Sequence, residues 1–64
     1  MKDNQLLYDY SFELYQNAEL LKAHFMTVDG NTLQFLVYYY NDELILAIFF
    51  NYMPIKIINL VNEL

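Results

Sequence analysis

Apolar and polar positions change their period twice along this chain. Leu7, Tyr10, Leu14, Ala18, Leu21 and Phe25 recur every three or four residues, the stripe of a long helix. The same segment also alternates, with Tyr8, Tyr10, Phe12 and Leu14 set between Asp9, Ser11 and Glu13 as in a strand. Helix propensity is poor through Tyr8 to Phe12 and good from Glu13 to Ala23. The pattern therefore predicts a helix over at least residues 12–23, with Ser11 as a candidate N-cap and an extension back to Asn4 left open. Whether residues 4–15 are helix or strand stays undecided at this level.

The middle of the chain alternates with period two. Asp29-Gly30 is a strong two-residue hairpin signal, because a type I′ turn needs positive φ at both positions; Asn41-Asp42 is a weaker one. They separate three β-prone runs, His24 to Val28, Thr32 to Tyr40 and Glu43 to Tyr52, which predicts a three-stranded antiparallel meander. From Pro54 to Leu64, Ile57, Leu60, Val61 and Leu64 return to spacings of three and four behind a proline suited to a first helical position. A short C-terminal helix is expected there, although its β-branched isoleucines favour a strand. The fold class is α+β, a three-stranded antiparallel meander flanked by an N-terminal helix and a short C-terminal helix, in a single compact domain over 1–64.

Two-residue turns fix which side chains share a face. One face collects His24, Met26, Leu33, Phe35, Val37, Tyr39, Leu44, Leu46, Ile48 and Phe50, and is apolar apart from the histidine. The helices are expected to pack there. The other collects Phe25, Thr27, Gln34, Leu36, Tyr38, Tyr40, Glu43, Ile45, Ala47, Phe49 and Asn51. A solvated face carrying Leu36, Tyr38, Tyr40 and Phe49 needs a cover, so these four are the candidate apolar and tyrosine interface of a homodimer or an obligate complex. The alternative is that the N-terminal segment wraps this face and the chain stays a monomer.

Length adds weight to association. A chain of 64 residues without cysteine has neither disulfides nor thiolate metal ligands, and the lone His24 cannot build a histidine-rich zinc site. Below roughly 70 to 80 residues one core seldom supplies more than about 3 to 5 kcal/mol. Dense packing or a partner has to supply the rest. The 19% aromatic content, seven Tyr and five Phe, provides the area for either.

Charge excludes several roles. Three lysines, Lys2, Lys22 and Lys56, stand against eight carboxylates for a net charge of -5, so direct nucleic-acid binding is not expected. With 58% hydrophobic residues, neither is disorder. The apolar run from Leu44 to Phe50 is far below the roughly 20 residues of a spanning helix, and the start shows no signal-peptide pattern. A cytoplasmic protein without membrane contact is expected, with a membrane-associated role for residues 44–58 the least favoured alternative.

Candidate chemistry is sparse. One glycine excludes phosphate-binding glycine motifs, and no zinc-protease, Cys-x-x-Cys or EF-hand spacing occurs. Ser11, His24 and Asp29 supply the residue types of a hydrolase triad without a nucleophile elbow; His24 reads as a satisfied edge histidine, and Asp42 with Glu43 as a solvated turn pair. No catalytic residue, cofactor or metal ligand is expected, and the chain reads as non-enzymatic. The acidic residues Asp3, Asp9, Glu13 and Glu19 form a run without a base. Asp9 and Glu13, four apart, share a face in helix and strand alike. That stripe is either a solvating surface or a docking surface for a protein partner with a basic face, such as the nucleic-acid site of another protein.

In overall character the chain resembles small acidic accessory proteins of phages and other mobile elements that bind and inhibit a host protein, DNA mimics among them. The resemblance implies a small acidic protein-binding module, dimeric on the reasoning above, that regulates or inhibits a larger partner. The alternative is an obligate structural or assembly subunit of a larger complex.

Overall fold

The computed structural model describes residues 2–60, and the surroundings of side chains from Gln5 to Leu60. One helix precedes four strands: α1 (Lys2–Asn17), β1 (Glu19–Val28), β2 (Asn31–Tyr40), β3 (Glu43–Phe50) and β4 (Met53–Asn59). The strands form one antiparallel sheet in the order β1-β2-β3-β4. The α+β class and the N-terminal helix are as expected. The fourth strand is not.

All three hairpins close with two residues in the left-handed region: Asp29 and Gly30 at φ 51° and 80°, Asn41 and Asp42 at 51° and 64°, Asn51 and Tyr52 at 49° and 69°. Such pairs match the twist of the strands they join. Gly30 has nothing within 4 Å of the position a Cβ would take, so it is backbone conformation and not space that favours glycine there. The third turn is held by side chains instead. Asn51 donates its backbone N–H to the Thr32 carbonyl (2.7 Å), accepts from the Thr32 N–H at Oδ1 (2.9 Å) and donates from Nδ2 to Asn31 Oδ1 (3.0 Å). Thus β2 and β3 are tied just beyond their last ladder pair, Leu33 with Phe50.

Three expectations are corrected. The segment from Pro54 is not a helix: Met53–Asn59 pairs with β3, and residues 61–64 of the expected helix lie outside the described residues. Pro54 is tolerated because it is the second residue of an edge strand and stands next to a bulge at Ile55, between the Lys56 pair with Ile48 and its own pair with Phe49, and Ile55, Ile57 and Ile58 favour extended backbone. The N-terminal helix starts earlier and stops at Asn17, so residues 19–23, helix-prone by composition, extend β1 as far as Tyr39 of β2. Continuing the ladder outweighs their local propensity. Ser11 lies inside the helix and caps nothing; its hydroxyl donates to the Tyr8 carbonyl at 2.9 Å.

The helix also packs on the face opposite to the one expected. Leu14 is 0% exposed and seats on Tyr38, Ile45 and Ala47, with Ala18, Leu36, Tyr40, Phe49 and Ile57 around them. Ala47 explains the choice. A small side chain at the centre of this face gives the helix room to settle, whereas the paired β2 and β3 positions of the other face, from Leu33 with Phe50 to Tyr39 with Leu44, hold nothing smaller than valine. Tyr40 adds a polar tie, its hydroxyl donating to the Glu13 carboxylate of the helix.

Candidate functional site

Leu36, Tyr38, Tyr40 and Phe49, the surface expected to need a partner, are covered from within. Tyr38 is buried under the helix and the other three are partly buried against the same cluster. Helix α1 packs over part of this face, and Leu36, Tyr38 and Phe49 also line the concavity beside it.

Covering that face leaves the other bare. By alternation in the register, it presents Leu33, Phe35, Val37 and Tyr39 from β2 beside Phe50, Ile48, Leu46 and Leu44 from β3. Helix α1 contacts β2 and β4 from the opposite side and approaches this set only at its Phe50 end, where Leu7 and Tyr8 line a pocket with Phe50 and Met53. The flanking strands bring the polar groups. β1 contributes Glu19, Lys22 and His24 opposite Tyr39, Val37 and Phe35, and β4 contributes Lys56 opposite Ile48. The face is thus an apolar centre with charged sides.

His24 lies on this face against Phe35, ring centroids 6.4 Å apart and tilted by 42°, which suits an edge histidine. Among the described residues no group of three or more His, Cys, Asp or Glu side chains is placed to hold a metal ion. No helix among them is long and apolar enough to cross a membrane.

The acidic residues do not form one stripe. Asp9 and Glu13 sit a turn apart on the exposed side of α1, Asp9 accepting from Gln5 Nε2 at 3.0 Å and Glu13 from the Tyr40 hydroxyl. Asp3 belongs to the first turn of α1, its side chain lying outside the described residues. Glu19 opens β1 beside Tyr39, on the bare sheet face and away from the helix surface.

A second concavity of about 460 Å³ opens between helix and sheet. Tyr8, Phe12 and Tyr15 of α1, at helical spacing, face Leu36, Tyr38 and Phe49 of the sheet across it. Burial raises the Tyr38 phenol above its ordinary value of 10.0, with Tyr15 adding to the effect. Tyr10 is raised by burial and by the nearby Glu43. Hydrogen bonds to Asp42 and Glu13 raise Tyr39 and Tyr40 respectively. These hydroxyls remain protonated donors at neutral pH. No protein-family model, no curated protein and no solved structure matches the chain.

The bare face was missed because its apolar side chains read as an internal core. The available signal was quantity: eight large apolar residues on the two central strands form a wider patch than one short helix covers.

Proposed function

We propose that the chain is a non-enzymatic protein-binding module that regulates or inhibits a larger protein partner. The observation that carries this reading is the bare apolar sheet face. An apolar patch of several hundred Å² on a small chain is a surface for protein contact, since keeping it in water is unfavourable at about 25 cal/mol per Å². The acidic helix surface lies on the other side of the sheet. The chain therefore offers two separate contacts, one apolar and one acidic.

Asp9 and Glu13 are the groups assigned to the regulated partner, whose face is basic. The test is capture by the immobilised chain, comparing wild type with Asp9→Lys/Glu13→Lys at low and moderate salt. A specific partner should be lost from the double variant and weakened by salt, because exposed charge pairs are screened. Equal capture by both chains at both salt levels refutes the acidic contact.

The obligate-subunit reading draws on one observation, the small core, in which only Leu14, Tyr38, Ile45 and Ala47 are buried hydrophobic residues among those described. Expression alone separates the two readings. A regulator is soluble and folded by itself, whereas an obligate subunit aggregates or melts without its complex.

A further inference from the structure

We propose that the occupant of the bare sheet face is a second copy of this chain, the two sheets stacking face to face with their helices outermost. This rests on the protein-contact reading above and names the partner for one of its two surfaces.

Area is the first support. The chain exposes 4870 Å². A compact monomer of its mass exposes about 4,300 Å². Four strands at about 4.8 Å spacing and roughly eight residues of about 3.3 Å each project to about 500 Å², close to that excess. Counting the relief of the side chains, two such faces bury on the order of 1,000 to 1,400 Å² together. That reaches the lower part of the range for stable, specific interfaces.

Charge is the second support and selects a like partner. The chain carries a net charge of -5, and copies meeting through the acidic helix would repel. The bare face, however, holds Lys22 and Lys56, two of the three lysines. They offset Glu19 on the same face and Asp42 at its end, where the Tyr39 hydroxyl donates to Asp42 Oδ1 at 3.0 Å. The face is close to neutral, so two copies can approach through it. A basic partner finds its complement on the helix side instead.

Symmetry is the third. A contact repeated by a twofold axis must be self-complementary, and an apolar centre flanked by mixed charges satisfies that. Glu19 and Asp42 lie at one end of the face. An axis running along the strands would superpose the acidic ends. An axis across the strands swaps the ends and separates the carboxylates. The expected dimer therefore stacks like strands of the two copies antiparallel to one another.

Sedimentation of the full chain over about 1 to 100 µM tests this, with a dimer expected whose melting temperature rises with concentration. Val37→Lys and Leu46→Lys place a charge at the centre of the contact and should weaken the dimer by about 100-fold or more, with helix and sheet content retained. Phe25→Lys, on the helix side of the edge strand, should leave it intact. Should the lysine variants fail to fold, oxidation of Met26 in the wild type decides, since its protection must grow with concentration if the face is covered.

Three outcomes overturn the proposal. If Phe25→Lys abolishes the dimer and Val37→Lys does not, the copies associate along the β1 edge. A monomeric wild type that binds a hydrophobic dye, with the dye lost in Val37→Lys, assigns the face to a different protein and leaves the protein-contact reading standing. A monomer that binds no dye removes both.

Discussion

Leu14→Ala probes the most deeply buried contact of the helix with the sheet. Leu14 is 0% exposed, and only Leu14 and Ile45 are large side chains buried to that degree among the described residues. The leucine is clustered with Tyr38, Ile45 and Ala47, so truncation leaves a void among a ring and a branched side chain that closes only if the helix moves. Lost transfer energy plus the cavity gives about 3 to 4 kcal/mol for such a site. A core of this size supplies about 3 to 5 kcal/mol in total. The variant should therefore sit near its unfolding midpoint without denaturant, with the helix detached from the sheet. Urea unfolding followed by far-UV circular dichroism measures this, at fixed protein concentration because association adds to apparent stability. Leu6→Ala is the control: Leu6 is 66% exposed on the same helix, and its loss should change stability by less than about 0.5 kcal/mol. A Leu14→Ala loss below about 1 kcal/mol would refute the packing, because no fully enclosed leucine is that cheap to remove.

Two further predictions follow from the turns and the tyrosines. Tyr52 sits at φ 69° and is 69% exposed, so Tyr52→Gly relieves left-handed strain while removing little packing. A gain of about 0.5 kcal/mol in urea unfolding is expected, the strain relief of about 1 to 2 kcal/mol outweighing the added freedom of glycine in the unfolded chain; a net loss means the ring is held against the cleft. The Tyr38 and Tyr10 phenols are raised above 10.0 by burial, and Tyr39 and Tyr40 by their carboxylate partners. A proton held more tightly in the fold contributes stability that is complete below the unfolded value and is lost as pH climbs through the folded one. Melting temperature should be level from about pH 8 to 10 and fall above that, and Tyr40→Phe should remove one late-ionising phenol from an ultraviolet titration. A titration in which every tyrosine ionises together near pH 10 contradicts these environments.

Local chemistry made most of the sheet readable. Asp29-Gly30 and Asn41-Asp42 marked two hairpins correctly, and a strict period of two then placed each β2 and β3 side chain on its proper face. The third turn was less visible because Tyr52 is a poor left-handed residue, and its conformation depends on the Asn51 bonds to Asn31 and Thr32, about twenty residues away. Pro54 then read as a helix start. The spacing of Ile57 and Leu60 suited that reading, and only pairing with β3 settles Met53–Asn59 as a strand.

What the amino-acid sequence by itself determined is the class, the positions of two turns, which β2 and β3 side chains share a sheet face, and the acidic, cysteine-free character that leaves a small core. Tertiary structure decided where α1 ends, that β4 exists, and which face the helix covers. The last of these matters most for function. Hydrophobicity ranks the two faces in one order, but packing follows shape, and the small Ala47 gives Leu14 room where the paired β2 and β3 positions of the more apolar face give none. The more apolar surface is consequently the one left open.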